Sequence, residues 1–247
     1  MVPMSGGRHY IGTSGWHYKH WIDKFYPAGL NTKNQFSYYM SFFDTVEINN
    51  SFYRLPSKET FRKWHNETPE NFLFSVKASR FITHMKKLSD PEDSPNLFLS
   101  HAVELADKLG IVLFQLPPGW KINVERFANF VNVLPRDQRF VFEFRNSSWY
   151  TEDIYAILRT RNCGFCIYEL AGHTSPMVVT ADFVYIRLHG PGNKYQGNYS
   201  YESLLKWAKQ ILHWKNQDKD VYIYFDNDQD AFAALNAITL KDMLNAN

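Results

Sequence analysis

A (β/α)8 barrel is the fold class this sequence predicts, and three observations predict it. Eight apolar, β-branched or aromatic runs recur along the chain, helical patterns separate them, and 247 residues match the roughly 250 of a one-domain α/β barrel. The runs lie at 10–13, 45–50, 73–79, 111–116, 140–145, 164–169, 183–189 and 221–226. A doubly wound open sheet is the competing architecture, but it usually has fewer strands and a glycine-rich first turn. Here Gly12-Thr-Ser-Gly15 lacks the third glycine of a dinucleotide fingerprint.

The helices between the runs carry start signals. Ser94-Pro95 precedes 96–109, Asn123 precedes 124–134, Thr151 stands before Glu152 and Asp153, and Ser200 precedes 201–214, with Gly110 where a C-cap belongs. No repeat, low-complexity tract or Pro/Gly/Ser-rich linker divides the chain, so 1–247 reads as a single domain. The longest non-periodic stretches, 14–34, 80–93 and 190–199, follow the first, third and seventh runs. A barrel carries such loops on its C-terminal rim, where function concentrates.

Composition narrows the function classes. Hydrophobic residues make up 45% of the chain, enough to bury a large core. A formal charge of +2, from 27 basic and 25 acidic residues, is not the basic field of a dedicated duplex-binding protein. No segment approaches the roughly 18 uninterrupted apolar residues of a membrane span, and the first nine residues have no signal-peptide core, so the expectation is a cytoplasmic protein without a membrane partner. The two cysteines form Cys163-Gly-Phe-Cys166, but inside a β-like run, where positions three apart face opposite sides. They read as packing residues rather than a redox or zinc pair.

Alternation within the runs points to chemistry. One set is apolar: Val46 and Ile48, Phe74 and Val76, Phe142 and Phe144, Val184, Ile186 and Leu188, Ile223 and Phe225. The other holds Glu47 and Asn49, Ser75 and Lys77, Glu143 and Arg145, Arg187 and His189, Tyr224 and Asp226, and period-two alternation turns all of these inward. Ionised side chains are rarely buried unless paired, so this interior reads either as a ligand-binding mouth or as a buried ion-pair network. Lys77, Arg145 and Arg187 suit an anionic substrate. Glu47 and Glu143 are the candidate acid/base groups, and His84 or His189 the proton shuttles. The stretch His189-Gly-Pro-Gly-Asn-Lys194 offers backbone amides to a phosphate, or is simply a flexible loop.

Aromatics crowd the same rim: Trp16, Tyr18, Trp21, Phe25, Tyr26, Phe52, Tyr53, Trp149, Tyr150, Tyr195 and Tyr199. They serve either to stack on a base or sugar, with Trp16 and Trp149 walling the pocket, or to pack as a lid. Glu47, His84, Glu143, His189 and Asp226 include donors a divalent ion accepts, yet no H-E-x-x-H motif is present and three cations compete for the carboxylates. The sequence requires no cofactor, and a divalent metal remains compatible with it.

The motifs Ile11-Gly-Thr-Ser-Gly-Trp16, Phe25-Tyr-Pro27, Thr45-Val-Glu-Ile-Asn-Asn-Ser-Phe-Tyr-Arg-Leu-Pro56, Phe74-Ser-Val-Lys77 and Ile82-Thr-His84 run in one order. Leu113-Phe-Gln-Leu-Pro-Pro118, Phe142-Glu-Phe-Arg-Asn-Ser-Ser-Trp149, Tyr185-Ile-Arg-Leu-His-Gly190 and Tyr222-Ile-Tyr-Phe-Asp-Asn227 continue it. Together they make the chain resemble the YecE-like family, domain of unknown function 72, over nearly its whole length. The resemblance implies a TIM-type barrel. It marks Glu47, Asn49, Tyr53, Lys77, His84, Gln115, Glu143, Arg145, Trp149, Arg187, His189 and Asn227 as motif positions, and it brings no reaction with it. Where the family usually has a second asparagine, this chain has Asp226, which adds a negative charge.

The expected function is an enzyme using acid/base or hydrolytic chemistry on a small anionic, sugar- or nucleotide-like substrate, at the strand C-termini. One alternative is a nucleic-acid-binding protein, or a phosphodiesterase resembling the apurinic endonucleases, using Arg80, Lys86 and Lys87. Net charge does not favour it. The other alternative is a scaffold that holds a metabolite without turnover. Oligomeric state is not legible.

Overall fold

Nine strands follow one another among the described residues: β1 (His9–Thr13), β2 (Thr45–Ile48), β3 (Leu73–Lys77), β4 (Leu109–Leu116), β5 (Arg139–Phe144), β6 (Gly164–Leu170), β7 (His173–Thr174), β8 (Phe183–Leu188) and β9 (Asp220–Phe225). Between and after them lie α1 (Gln35–Met40), α2 (Lys58–Glu67), α3 (Asp93–Ala102), α4 (Val124–Val133), α5 (Glu152–Thr160), α6 (Tyr201–Lys215) and α7 (Phe232–Asn245). The computed structural model describes residues 6–246. Eight of the strands are the predicted runs. The ninth, β7, pairs antiparallel with β6 across the turn Ala171-Gly172, both at positive φ, a tight hairpin that the apolar pattern did not announce.

The described residues form two compact units, and the chain passes from one to the other within β2 and within β6. The first comprises 6–46, 167–177 and 182–246. Its strands run in the order β1-β9-β8-β6, with β1, β9 and β8 parallel and in continuous register. One face carries a ladder of rings. Tyr10 stacks on Tyr222 at 4.7 Å, Tyr222 on Tyr185 at 6.5 Å, and Tyr185 meets Tyr224 at 5.3 Å. Ile11, Val184, Ile186, Ile223 and Phe225 are buried on the alternate positions, and α7 packs on β1 and β9.

Gly12 faces the carbonyl of Thr45 so closely that a Cβ would lie 2.4 Å from its oxygen, which excludes any other residue. At that seam the Tyr39 hydroxyl accepts from the Thr13 amide (3.0 Å) and donates to the Thr45 carbonyl (2.9 Å). A side chain thus does the work of a ladder hydrogen bond between β1 and the start of β2.

The second unit comprises 47–166 and 178–181, with strand order β6-β5-β4-β3-β2. β3, β4 and β5 are parallel, and Gln115 sits opposite Glu143 in the register. Phe114, Phe142 and Phe144 meet Phe127 and Phe130 of α4 through edge-on ring contacts, each buried ring contributing about 1.5–3 kcal/mol. Asn123 caps α4 by accepting from the Arg126 amide at 2.9 Å, as expected, and Ser200 likewise caps α6. Thr151 precedes α5 but makes no side-chain cap bond.

Two expectations about helix ends need correction. Helix α3 starts at Asp93, with Ser94 donating to Asp90, and gives way to a tighter turn at Val103–Lys108 rather than running to 109. Gly110 is not a cap but the second residue of β4; Ala106, at φ 48°, makes the break instead. Lys108 is buried and closes α2, its Nζ donating to the carbonyls of His65 and Thr68, both at 2.6 Å.

The cysteines are both buried thiols outside any disulfide, with Sγ of Cys166 3.9 Å from Glu143 Oε2 and Sγ of Cys163 3.6 Å from the Arg161 carbonyl. Burial pushes the Cys163 thiol up to about 12. No helix among the described residues is long and apolar enough to cross a membrane.

Candidate functional site

In the second unit, alternation along β5 turns Phe140, Phe142 and Phe144 toward α4 and leaves Glu143 on the opposite face, wholly buried. β5 ends at Phe144, so Arg145 is the first residue past the strand, and its Nε donates to the Glu143 carboxylate. β3 ends at Lys77, only 8% exposed, whose Nζ stands 4.4 Å above the ring of Phe52. The turn Asn50–Phe52 holds that ring in place, with Ser51 Oγ donating to the Lys77 carbonyl at 2.6 Å.

Glu47 is fully buried on β2. Asn49 lies one residue past that strand's end, and its Oδ1 is buried without a hydrogen-bond partner. Tyr53 is 74% exposed, so it contributes an open ring face rather than core packing. Gln115, half-buried, completes the row beside Glu143.

His84 sits in a single π-turn, Phe81–Met85, a local widening that is frequent at functional positions. Its Nδ1 lies 2.9 Å from Thr83 Oγ1, and its ring meets Phe52 edge-on at 5.0 Å. Burial holds His84 below the ordinary histidine range, and the cations Lys77, Arg80 and Arg145 push it further down against the opposing pull of Glu143. The imidazole is therefore neutral at pH 7.

The first unit holds its own cluster. Arg187 is wholly buried on β8, and its Nη2 donates to Asp226 Oδ2 and to Ser14 Oγ, at 3.3 and 3.4 Å. His189, one residue past the end of β8, pairs Nδ1 with Asp226 Oδ2 at 2.9 Å, while its Nε2 lies 3.4 Å from Arg187 Nη1. The charge that Asp226 adds is thus matched by Arg187. Asn227 donates to the Gly197 carbonyl and to Asn236 Oδ1, leaving its own Oδ1 buried without a partner. Ser14 was not among the expected residues. Its small hydroxyl side chain at a strand end carries no pattern that alternation can score.

One expectation does not survive. Trp149 does not wall a pocket: it is fully buried, stacks on Phe144 at 5.2 Å on the α4 side, and donates Nε1–H to the Trp120 carbonyl at 2.7 Å. The turn Ser147–Trp149 folds it back over the apolar face of β5. In the stretch 189–194, open between a phosphate cradle and a flexible loop, the His189 amide donates to the Glu169 carbonyl and the Gly190 amide to the Tyr199 hydroxyl. Trp16 is half-buried and stacks on Phe36 at 4.4 Å. Among the described residues no three His, Cys, Asp or Glu side chains converge as metal ligands.

The family model described as "Protein of unknown function DUF72" matches residues 10–247. The chain belongs to the DUF72 family. It is similar to the UPF0759 protein YunF of Bacillus subtilis, 29% identical over 95% of this chain and 94% of that one. It also resembles the UPF0759 protein YecE of Escherichia coli, 26% identical over 58% of this chain and 50% of that protein. A solved DUF72 protein from Thermotoga maritima superimposes with a TM-score of 0.83 at 27% identity, covering 96% of this chain and 99% of that one. The fold class is accordingly α/β, of the TIM-like (β/α)8 type shared with the solved DUF72 structures. Most of the motif residues of this DUF72 chain stand at or just past strand C-terminal ends, where that fold class places its chemistry.

Proposed function

We propose that this DUF72 protein is an enzyme that acts on a small phosphate- or carboxylate-bearing substrate, sugar- or nucleotide-like, by acid/base or hydrolytic chemistry. The observation that carries the reading is the convergence of Lys77, Arg80 and Arg145 on a half-buried, neutral His84. Lys77, Arg80 and Arg145 together outweigh Glu143 in the field at His84, and a net positive field of that kind suits an anionic ligand. Arg145 offers its guanidinium fork to a phosphate or carboxylate, and Glu143 orients it. With Thr83 on Nδ1, the Nε2 of His84 takes the proton, and Glu47 is the second acid/base group. Tyr53 offers an exposed face for a ring of the substrate to lie on.

The test is a panel of phosphorylated and carboxylated metabolites, scored for both binding and turnover, on the wild type, His84→Gln and Arg145→Ala. The expected result is turnover of at least one anionic compound, lost in His84→Gln with binding retained, and binding lost in Arg145→Ala. Binding that survives both substitutions without turnover anywhere in the panel would favour a non-catalytic scaffold. Single-stranded or abasic DNA bound with a steep salt dependence would favour the nucleic-acid reading.

A further inference from the structure

A cavity of about 440 Å³ opens in the first unit, with a lining that does not include Arg187, His189 or Asp226. Successive residues of β6 face opposite sides, and Tyr168 turns its ring toward His189 at 6.4 Å, so Glu169 points the other way, toward α6. Its carboxylate lines the cavity beside the Tyr199 hydroxyl and the Trp207 indole, two neutral donors whose presence favours the ionised form. Tyr199 is locked for that role because its oxygen already accepts from the Gly190 amide at 3.1 Å. Gly190 cannot be replaced there: it lies at φ 103°, and a Cβ would come within 2.1 Å of the Gln196 carbonyl oxygen. Trp207, Met177 and Pro191 supply apolar surface.

Among the described residues no basic side chain forms an ion pair with Glu169, although it is largely withdrawn from water. Burial raises its carboxyl above the ordinary range, and the two neutral donors only partly offset that. The titratable groups that share the cavity are Tyr199, His173 on β7 and Lys206 on α6. Lys206 is exposed and its charge bears on Glu202, one turn earlier on the same helix. Glu169 thus has neutral donors beside it and no ion pair with the exposed Lys206 of the same lining, and the cavity volume lies in the range of small-molecule sites.

We propose that this cavity binds a small aliphatic amine as its ammonium ion, with the ammonium on the Glu169 carboxylate and the alkyl chain along Trp207, Met177 and Pro191. The cavity shares no residue with the cluster around His84, and the proposal does not depend on the function read there.

Calorimetric titration of the whole protein with pentylamine, pentanol and pentanoate tests this. Pentylamine binds, and pentanol, which keeps the chain and loses the charge, binds at least about tenfold more weakly. Pentanoate does not bind. Glu169→Gln removes the preference for the amine over the alcohol. Met177→Trp, at a position 46% exposed, fills the mouth without replacing Glu169 and weakens the amine and the alcohol together. Pentylamine affinity also falls as pH drops through the raised Glu169 range. Equal affinity for amine and alcohol in the wild type, preferred binding of pentanoate, or undiminished amine binding in Glu169→Gln would each overturn the proposal.

Discussion

His84 shows how a single side chain acquires a task from its surroundings. A histidine in water is half protonated near pH 6.5. Beside Lys77, Arg80 and Arg145, and partly withdrawn from solvent, it stays neutral at pH 7 and able to accept a proton. Activity that uses it as a base is expected to hold level through neutrality and to fall only on the acid side of the ordinary histidine range. A pH profile of kcat/KM on the identified substrate checks this; a midpoint above the ordinary range would contradict it. Cys163 is the opposite case, a reactive group made inert. With its thiol pushed up to about 12 by burial, and Cys166 equally buried, neither is expected to react with a thiol reagent at pH 8 until denaturant is added. Counting modified thiols by mass spectrometry before and after unfolding reads this directly.

At the scale of elements, hydrogen bonds that sequence patterns do not reveal decide how strands and helices end. The Tyr39 hydroxyl serves Thr13 and Thr45 at once in a buried place, so Tyr39→Phe leaves a buried amide and a carbonyl short of a partner. It should cost about 1–3 kcal/mol in urea unfolding, while Tyr38→Phe, at a half-buried neighbour, should cost little. A paired comparison separates a working cap from a nominal one. Asn123→Ala should cost about 1 kcal/mol because the side chain accepts from the Arg126 amide. Thr151→Ala should cost less, because Thr151 makes no such bond.

For the whole molecule, pH acts on stability through groups whose proton affinity changes on folding. His9 and His84 are both held below the ordinary histidine range in the folded chain, His9 by burial and by the neighbouring Lys215. Below about pH 6.5 the unfolded chain therefore binds protons that the folded chain refuses, and stability falls as pH falls through that window. Glu169 and Asp228 act in the opposite sense. Burial raises both, so the stability they contribute is present at low pH and lost as pH rises through their folded values. The net expectation is a loss of stability on going from pH 7 to pH 5, which His9→Gln makes shallower. Urea midpoints at the two pH values measure it, and an unchanged slope in the variant would remove His9 from the account.

What the sequence by itself determined was periodic: eight strand runs, the caps at Asn123 and Ser200, the placement of Glu143, Lys77 and Arg187 on the faces opposite the phenylalanines and isoleucines, and the family. Alternation is a local property of the chain, so these were legible without coordinates. Tertiary structure alone decided which charges meet which. That Asp226 answers Arg187 and His189, that Trp149 folds back onto Phe144, that Gly110 lies in a strand, and that Glu169 lines a cavity all depend on residues far apart in sequence. Periodicity assigns a side chain to a face of its own strand; it does not say what stands across from that face, and the energies of charges and hydrogen bonds depend on that neighbour.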